Sequence, residues 1–435
     1  MLLPVYNRRV PGDNALIIIQ LDGLSHPRLR DGIARGLLPT LGRWLRDATH
    51  RLHRLDSGLP SQTSSAQATL LYGVTDPPPG FRWYDRRSGR ARTSRDPADL
   101  RRVARNWPKN AGLLRGGAAI TTAWSAGAAR HAFVLSEGPR PSNFRNFPWR
   151  AMVAPRWPQR ARGTSPAAIL RGILVAGTLD ALTTAATVAA ISAKRGPTFA
   201  TLLGYDQVAH HAGLGAPMTD WALRRLDDSV RAIEASDSAQ GNRAQIVVFS
   251  DHGLSECVPF RKLRRESLGD MIVRVTGTAR RDWHVAPSGN LSHVYALSAQ
   301  AKTSLDSLIP VLMRDEAIGF VVQNGIAHGR FGKVEFGSGT VFGDHPLAAY
   351  GPTGLRTGQV AALARHPEAG DLIVMGAVDA RGTVTAFENQ RAAHGGLGGA
   401  QTEAFALLPA GISADDDLGL MELRGLLLRR LGRLP

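Results

Sequence analysis

A single cysteine, Cys257, excludes any intramolecular disulfide and with it the stapled frameworks of small secreted domains. Lysine is nearly as scarce: five of the 53 basic residues are lysine, at 109, 194, 262, 302 and 333, which leaves 48 arginines. The arginines are dispersed among Pro and Gly, and aromatics make up only 6% of the chain. The net charge of +17 therefore builds no base-stacking platform, and nucleic acid is not the expected partner. A solvated basic surface remains, suited at most to attracting an anionic substrate or to weak association with an anionic membrane surface. No apolar run is long enough to span a bilayer. The longest, from Leu170 to Ala193, is broken by Arg171 and Asp180 and reads as a buried helix leading into the next strand. The N-terminal MLLPVYNRRVPGDN is too short and polar for a signal peptide, so a cytoplasmic location is expected, peripheral at the membrane at most.

With 435 residues and 43% hydrophobic content, the chain can bury a large core. Four separated stretches end in residues that bind divalent metal: Asp22 in IIIQLDG, Asp206 and His210 in LLGYDQVAHHAG, Asp251 and His252 in VVFSDHG, and His394 in AAHGG. In three of them a β-branched apolar run stops at or just before the acidic residue. A buried parallel strand delivers a side chain to its carboxyl end in that way, and ligands of open α/β sheets collect at that edge. Asp206 and His210 stand at i and i+4, one face of a helical turn. Asp251 and His252 are adjacent, so they either meet one ion at a turn, for which Gly253 is suited, or reach toward two sites. Any one stretch alone is ordinarily an N-cap or a turn, but their conjunction in one chain is not.

Three carboxylates and three imidazoles are enough for two ions once a hydroxyl bridges them. The segment PSQTSSAQATLLYG supplies one, Thr63, with Ser61, Ser64 and Ser65 as alternatives. Imidazole-rich ligation favours zinc over magnesium, with manganese or iron as the other candidates. Two divalent ions roughly 4 Å apart can clamp an in-line displacement at phosphorus, and coordination would turn a weakly acidic threonine into a nucleophile. A site drawn from residues 22 to 394 must belong to one folded unit. The expected fold is α/β, a doubly wound and mostly parallel central sheet flanked by helices. Residues 74–165 read as a cap insertion and 254–370 as a second one. Residues 217–238 read as an amphipathic helix, and GNLSHVYAL as a strand. The pair Asp344 and His345 ranks below Asp251 and His252, because no buried apolar strand immediately precedes it.

The order Asp, nucleophile hydroxyl, DxxxH, DH, H resembles the alkaline phosphatase superfamily, in its type I phosphodiesterase and nucleotide pyrophosphatase branch. PSQTSSAQATLLYG is similar to that branch's PTxTxPxxxTLxTG, and the stretch from Asp371 to Pro409 resembles a bacterial subgroup related to holin-fused members. The resemblance implies one ion on Asp206, His210 and His394. A second would lie on Asp22, Asp251, His252 and the Thr63 oxygen. It implies a hydrolase of phosphodiester or pyrophosphate bonds in small-molecule phosphoesters, working through a phosphothreonine. A phosphomonoesterase of the same fold is the alternative, and an inactive metal-stabilised scaffold that binds polyanions is another. The chain departs from the family at Ser64, Ser65 and Ala66, where an aromatic, proline and asparagine are usual, and in lacking the asparagine that follows the nucleophile helix. Arg82, Trp83 and Tyr84 stand in that vicinity, with Arg82 as a substitute contact for phosphoryl oxygens and the aromatics as stacking surfaces. No CxPxR segment exists to generate a sulfatase nucleophile.

Overall fold

The computed structural model describes residues 16–108, 111–137, 166–193, 196–241 and 244–434; the N-terminal segment discussed above lies outside them. At its centre is an eight-stranded sheet. Its strands, in chain order, begin with β1 (Leu16–Leu21) and β2 (His50–Asp56). A hairpin of β3 (Arg82–Asp85) and β4 (Arg90–Thr93) stands apart from the sheet. The sheet then takes β5 (Ala118–Ile120), β6 (Arg130–Ala132), β7 (Thr198–Leu202) and β8 (Gln245–Phe249). Two late strands, Glu403–Pro409 and Asp417–Gly419, complete it.

The spatial order is Asp417–Gly419, β2, Glu403–Pro409, β8, β1, β7, β5, β6. From β8 to β6 every pairing is parallel, with Ile17 of β1 opposite Thr198 on one side and Ile246 on the other. Glu403–Pro409 runs antiparallel to both of its neighbours. Strand β1 is buried on both faces. Leu16 and Ile18 join a core with Leu70 and Leu423, while Ile17, Ile19 and Leu21 join another with Leu29, Leu41 and Val230. That two-sided burial explains its apolar run from Leu16 to Ile19, and it gives the doubly wound, mostly parallel α/β sheet its two helical layers.

The helices that matter for the site are α1 (His26–Ala34), α2 (Pro39–Arg46), α3 (Thr63–Tyr72), α4 (Pro97–Val103), α5 (Pro166–Ser192), α6 (Gly204–Ala212) and α7 (Pro217–Ala239). Helix α7 buries Leu223, Leu226, Val230 and Ile233 on one face, as its 3.6-residue spacing dictates. Helix α5 packs on α6, α7 and β7; no helix among the described residues is long and apolar enough to cross a membrane.

Of the 74–165 segment, residues 109–110 and 138–165 lie outside the described residues. The described part supplies β5 and β6 to the edge of the central sheet, in three-residue strands too short to show alternation. The 254–370 segment contains six of the seven strands of a separate, largely antiparallel sheet, which Leu372–Gly376 completes. GNLSHVYAL lies in it as Leu291–Ala296, buried along its length.

The β3/β4 hairpin is held by Asp85, at 1% exposure. Its carboxylate accepts from the backbone N–H of Arg87 (3.0 Å) and Ser88 (3.1 Å), from the Ser88 hydroxyl (2.7 Å) and from Arg92 (3.0 Å), and it pairs with Arg102 at 2.8 Å. Burial alone would raise its pKa, but the Ser88 donors and the two arginines outweigh it and hold the group at about 2. The stabilisation is thus fully present above the ordinary value of 3.8 and is lost as pH falls through about 2. Asp85→Ala, which leaves Arg92 only Asp99 as an ion-pair partner and Arg102 without Asp85, is expected to lower unfolding free energy by about 3 kcal/mol at neutral pH. Urea denaturation measures the loss, which should shrink toward pH 2; an unchanged midpoint would contradict it.

Candidate metal centre

The carboxyl ends of β1, β7 and β8, the three central parallel strands, converge on one point. Asp22 follows β1, and its N–H donates to Leu202 O at 3.0 Å, which ties the end of β1 to β7. Asp206 lies in the first turn of α6, just past β7, with His210 one turn on. Asp251 and His252 follow β8 and are wholly buried. His394 enters from the opposite side, directly after the short strand Ala392–Ala393. The approach is close enough to require glycine at two turns. Gly23 has φ +72°, and a Cβ there would meet Asp206 Oδ1 at 2.8 Å; one on Gly253 would meet Ala400 O at 2.0 Å.

Of the four hydroxyls named as candidates, Ser61, Thr63, Ser64 and Ser65, only one touches this cluster. Thr63 Oγ1, at the first position of α3, donates to Asp22 Oδ1 at 3.1 Å and lies 3.2 Å from His252 Nε2. Ser61 donates to Gly396 O at 2.9 Å, Ser65 donates to Pro78 O at 2.8 Å, and Ser64 pairs with the Ser94 hydroxyl at 2.8 Å.

The three imidazoles share one orientation. Nδ1 of His210 donates to Ala392 O (2.7 Å), that of His394 to Ser61 O (2.8 Å) and that of His252 to Gly253 O (3.1 Å). A carbonyl only accepts, so Nδ1 carries the hydrogen and Nε2 faces inward in each ring, the tautomer that metal-binding histidines use. Inside, His210 Nε2 and His394 Nε2 lie 3.3 and 3.7 Å from Asp206 Oδ1. His252 Nε2 lies 3.3 Å from Asp22 Oδ1 and 3.4 Å from Asp251 Oδ2. Two groups of ligand atoms result: Asp22, Asp251 and His252, and Asp206, His252 and His394, each within 4.8 Å of one another. His252 belongs to both, its ring stacked on His394 at 3.8 Å and 10°. Of the two roles open to the adjacent Asp251 and His252, the geometry brings His252 within reach of both groups.

The electrostatics are those of a site built for added positive charge. Burial, with the neighbouring Asp251 and Asp206 charges, holds the Asp22 carboxyl well above the usual range; burial likewise raises Asp251. Burial opposes charge on His252 as well, but Asp251 and Asp22 overcome it and push its pKa up to about 10. His394, desolvated and pressed against His252, is held well below its ordinary value. Asp206 is buried too, yet the His210, His394 and His252 rings beside it keep it ionised. Asp206 Oδ1 and Asp251 Oδ2 have no hydrogen-bond donor. Buried carboxylate oxygens left in this state cost several kcal/mol unless a cation meets them, so the residues fit a pair of divalent ions.

The proposed substrate contacts need correction. Trp83 is 1% exposed and offers no face for stacking. Tyr84 packs against His284 and Tyr295, with ring centroids at 5.1 and 5.6 Å. Arg82 donates to Pro287 O at 2.9 Å and pairs with Glu388 at 2.5 Å. Two nearby residues, Ser94 and Arg95, were not among the candidates named from sequence. Ser94, bonded to Ser64, precedes Arg95, whose guanidinium lies 5.0 Å from the centroid of the Phe81 ring; Arg82 lies at the same distance from it. One arginine among 48 carries no local signal of such a place. Asp344 is exposed, and His345 Nδ1 accepts from Leu347 N–H at 3.1 Å within a turn remote from the cluster.

A mostly parallel sheet with a cluster of acids and imidazoles at its carboxyl edge is consistent with the alkaline phosphatase superfamily of α/β hydrolases, and the family match places the chain there. The chain belongs, more narrowly, to the type I phosphodiesterase / nucleotide pyrophosphatase family, a family of phosphoester hydrolases, which it matches over residues 16–312. That match takes in Asp22, Thr63, Asp206, His210, Asp251 and His252; His394 lies beyond it. Among solved structures the fold is similar to phosphonoacetate hydrolase from Sinorhizobium meliloti 1021 in complex with phosphonoformate, at 14% identity and TM-score 0.56, over 99% of this chain and 98% of that one. It is also similar to murine ectonucleotide pyrophosphatase / phosphodiesterase 5, in an inactive threonine-to-alanine form with AMP, at 11% identity and TM-score 0.59, over 97% and 96% of the two chains. At such identities the likeness is one of fold. No curated protein matches the sequence.

Proposed function

We propose that the protein hydrolyses phosphodiester or pyrophosphate bonds of small molecules through a covalent phosphothreonine on Thr63. Two divalent ions, zinc foremost, would be held by Asp206, His210 and His394 and by Asp22, Asp251 and His252. The observation that carries this reading is the contact of Thr63 Oγ1, alone among the nearby hydroxyls, with both Asp22 and His252. The murine relative, inactive as a threonine-to-alanine variant, supports it. Such ions, when bound, supply a lowered hydroxyl pKa and neutralise charge on the phosphoryl oxygens.

The chain's own residues do the rest. Helix α3 begins at Thr63 and so aims its first-turn N–H groups at an anion seated there. Asp22 fixes the hydroxyl. Attack forms the Oγ1–P bond as the bond from phosphorus to the leaving oxygen breaks in line. Water then cleaves the Oγ1–P bond and returns the hydroxyl. Phe81, with the Arg82 and Arg95 guanidiniums each 5.0 Å from its ring centroid, favours a diester, because it gives the second substituent an apolar surface beside cations. Arg95 also favours the monoesterase alternative, since a dianion needs extra donors at its third terminal oxygen. Comparing kcat/KM for bis-nitrophenyl phosphate and nitrophenyl phosphate on zinc-loaded protein decides between them. The diester is expected to be preferred about tenfold. A monoester preference of that size overturns the diesterase reading and leaves the metal centre standing.

A further inference from the structure

Helix α6 carries two of the six candidate ligands, and its amino end is unusual. The N-cap is Leu203, whose side chain cannot accept a hydrogen bond, so the helix does not cap itself in the common way. The third helical position is Asp206. An acid at that position ordinarily reaches back to the N-cap N–H. This chain does so elsewhere: Asp270 accepts from Ser267 N–H at 3.1 Å, and Glu422 accepts from Gly419 N–H, in each case the third helical residue and the N-cap. Asp206 does not. Its Oδ2 takes a bond from Gln207 at 3.0 Å, and its Oδ1 has no donor and faces His210 and His394.

Ser267 and Gly419 are extended (ψ 161° and 169°), whereas Leu203 is itself helical (φ −94°, ψ −10°), and its N–H is held from a different helix. Asp180, in α5 and only 5% exposed, aims its carboxylate at the start of α6. Oδ1 accepts from Leu203 N–H at 2.9 Å and Gly204 N–H at 3.1 Å, and Oδ2 accepts from Gly204 N–H at 3.0 Å. Burial pushes the group up to about 7 despite those bonds, so keeping a carboxylate here opposes its own ionisation. Asp227 of α7 caps α2 from outside in a similar way, through Thr40 and Leu41 N–H at 2.9 and 3.1 Å. Only at α6 does the borrowed cap release an acid that points into a candidate metal centre.

We propose that Asp180 is a positioning residue: it occupies the N-cap N–H of α6 so that Asp206 is not drawn into capping its own helix and keeps Oδ1 turned toward the centre. The rest of the helix is pinned to match. Arg391 N–H donates to His210 O at 2.9 Å, and Glu256 accepts from Leu214 N–H at 2.6 Å just past the helix end. With both ends fixed, the first-turn rotamer of Asp206, whose Oδ2 also takes a bond from Gln207, is what Asp180 biases.

The consequence for metal rests on the proposed centre, but the capping step does not, and the test separates them. In metal-free protein, Asp180→Ala should lower Tm only slightly, because Asp206 swings back to cap Leu203. In an Asp206→Ala background the same change should lower Tm by several degrees more, since no acid is left to take over. With zinc, chelator competition should show Asp180→Ala weakening affinity at least about tenfold, and Asp180→Asn, whose amide oxygen still accepts from Leu203, within about threefold. Additive Tm losses overturn the proposal whatever the zinc affinity does, as does an Asp180→Asn loss equal to that of Asp180→Ala. If Asp180→Ala does not fold, Asp180→Ser, which keeps one acceptor, takes its place in the cycle. Protein that binds no zinc at all would sink the metal centre, while the Tm cycle would still decide the role of Asp180.

Discussion

Thr63→Ala should abolish turnover, by roughly four orders of magnitude or more, while preserving the fold and at least one bound ion. A covalent route with its nucleophile removed keeps only what binding and electrostatics contribute. The structural cost should be small, within about 0.5 kcal/mol, because Thr63 is a half-buried first helical residue and alanine suits that helix. The neighbouring serines cannot take over without losing bonds of their own, since Ser61 is tied to Gly396, Ser64 to Ser94 and Ser65 to Pro78. Thr63→Ser keeps the hydroxyl but loses the methyl that restricts its rotamer, so it should retain measurable activity. Steady-state rates alongside circular dichroism separate these effects. Persistent activity in Thr63→Ala, with loss on Ser64→Ala, would move the nucleophile one residue along the helix.

The clustering of the acids and imidazoles was legible because parallel strands write themselves into sequence. β1, β7 and β8 are apolar on both faces, so a polar residue where each run stops marks the sheet's carboxyl edge, and Asp22, Asp206 and Asp251 all stand there. Their helices were legible for a similar reason, through the i, i+4 spacing of Asp206 and His210 and the apolar stripe of α7. Other features left no local trace. β5 and β6 are three residues each, too short for a period, and hydrogen bonding of β5 to β7 and of β6 to β5, rather than pattern, makes them sheet. Trp83 was misread as a ligand surface because an aromatic beside a nucleophile looks the same whether a loop exposes it or a second sheet covers it. Arg82 was misread because its partner, Glu388, lies more than 300 residues away. Asp180 interrupted an apolar run, which counted against a membrane span, but nothing nearby indicated that it would meet Leu203 and Gly204. Long-range pairing of polar groups decides such roles, and one sequence does not display it.

Removing metal should be the other large effect, and its pH dependence follows from the protons that the cluster holds in its place. His252 stays protonated up to about 10 because Asp251 and Asp22 attract the charge, although burial opposes it. An incoming divalent ion competes with that proton, so apparent affinity should rise with pH between about 6 and 9, and uptake should release about one proton. Calorimetry in buffers of different ionisation enthalpy counts the protons, and elemental analysis should find two ions per chain. Chelation should abolish activity and lower Tm, since an ion at a thousand times its Kd contributes about 4 kcal/mol of linked stability. The ligands should be separable by one residue. His210 Nε2 lies 3.3 Å from Asp206 Oδ1 and its Nδ1 is fixed on Ala392 O, whereas His211, next along the helix, projects about 100° away. His210→Ala should therefore weaken metal by about 10- to 100-fold, and His211→Ala by less than about threefold. Equal losses would mean that α6 does not present Asp206 and His210 on one face, and a stoichiometry near zero that added zinc cannot raise would remove the metal centre itself.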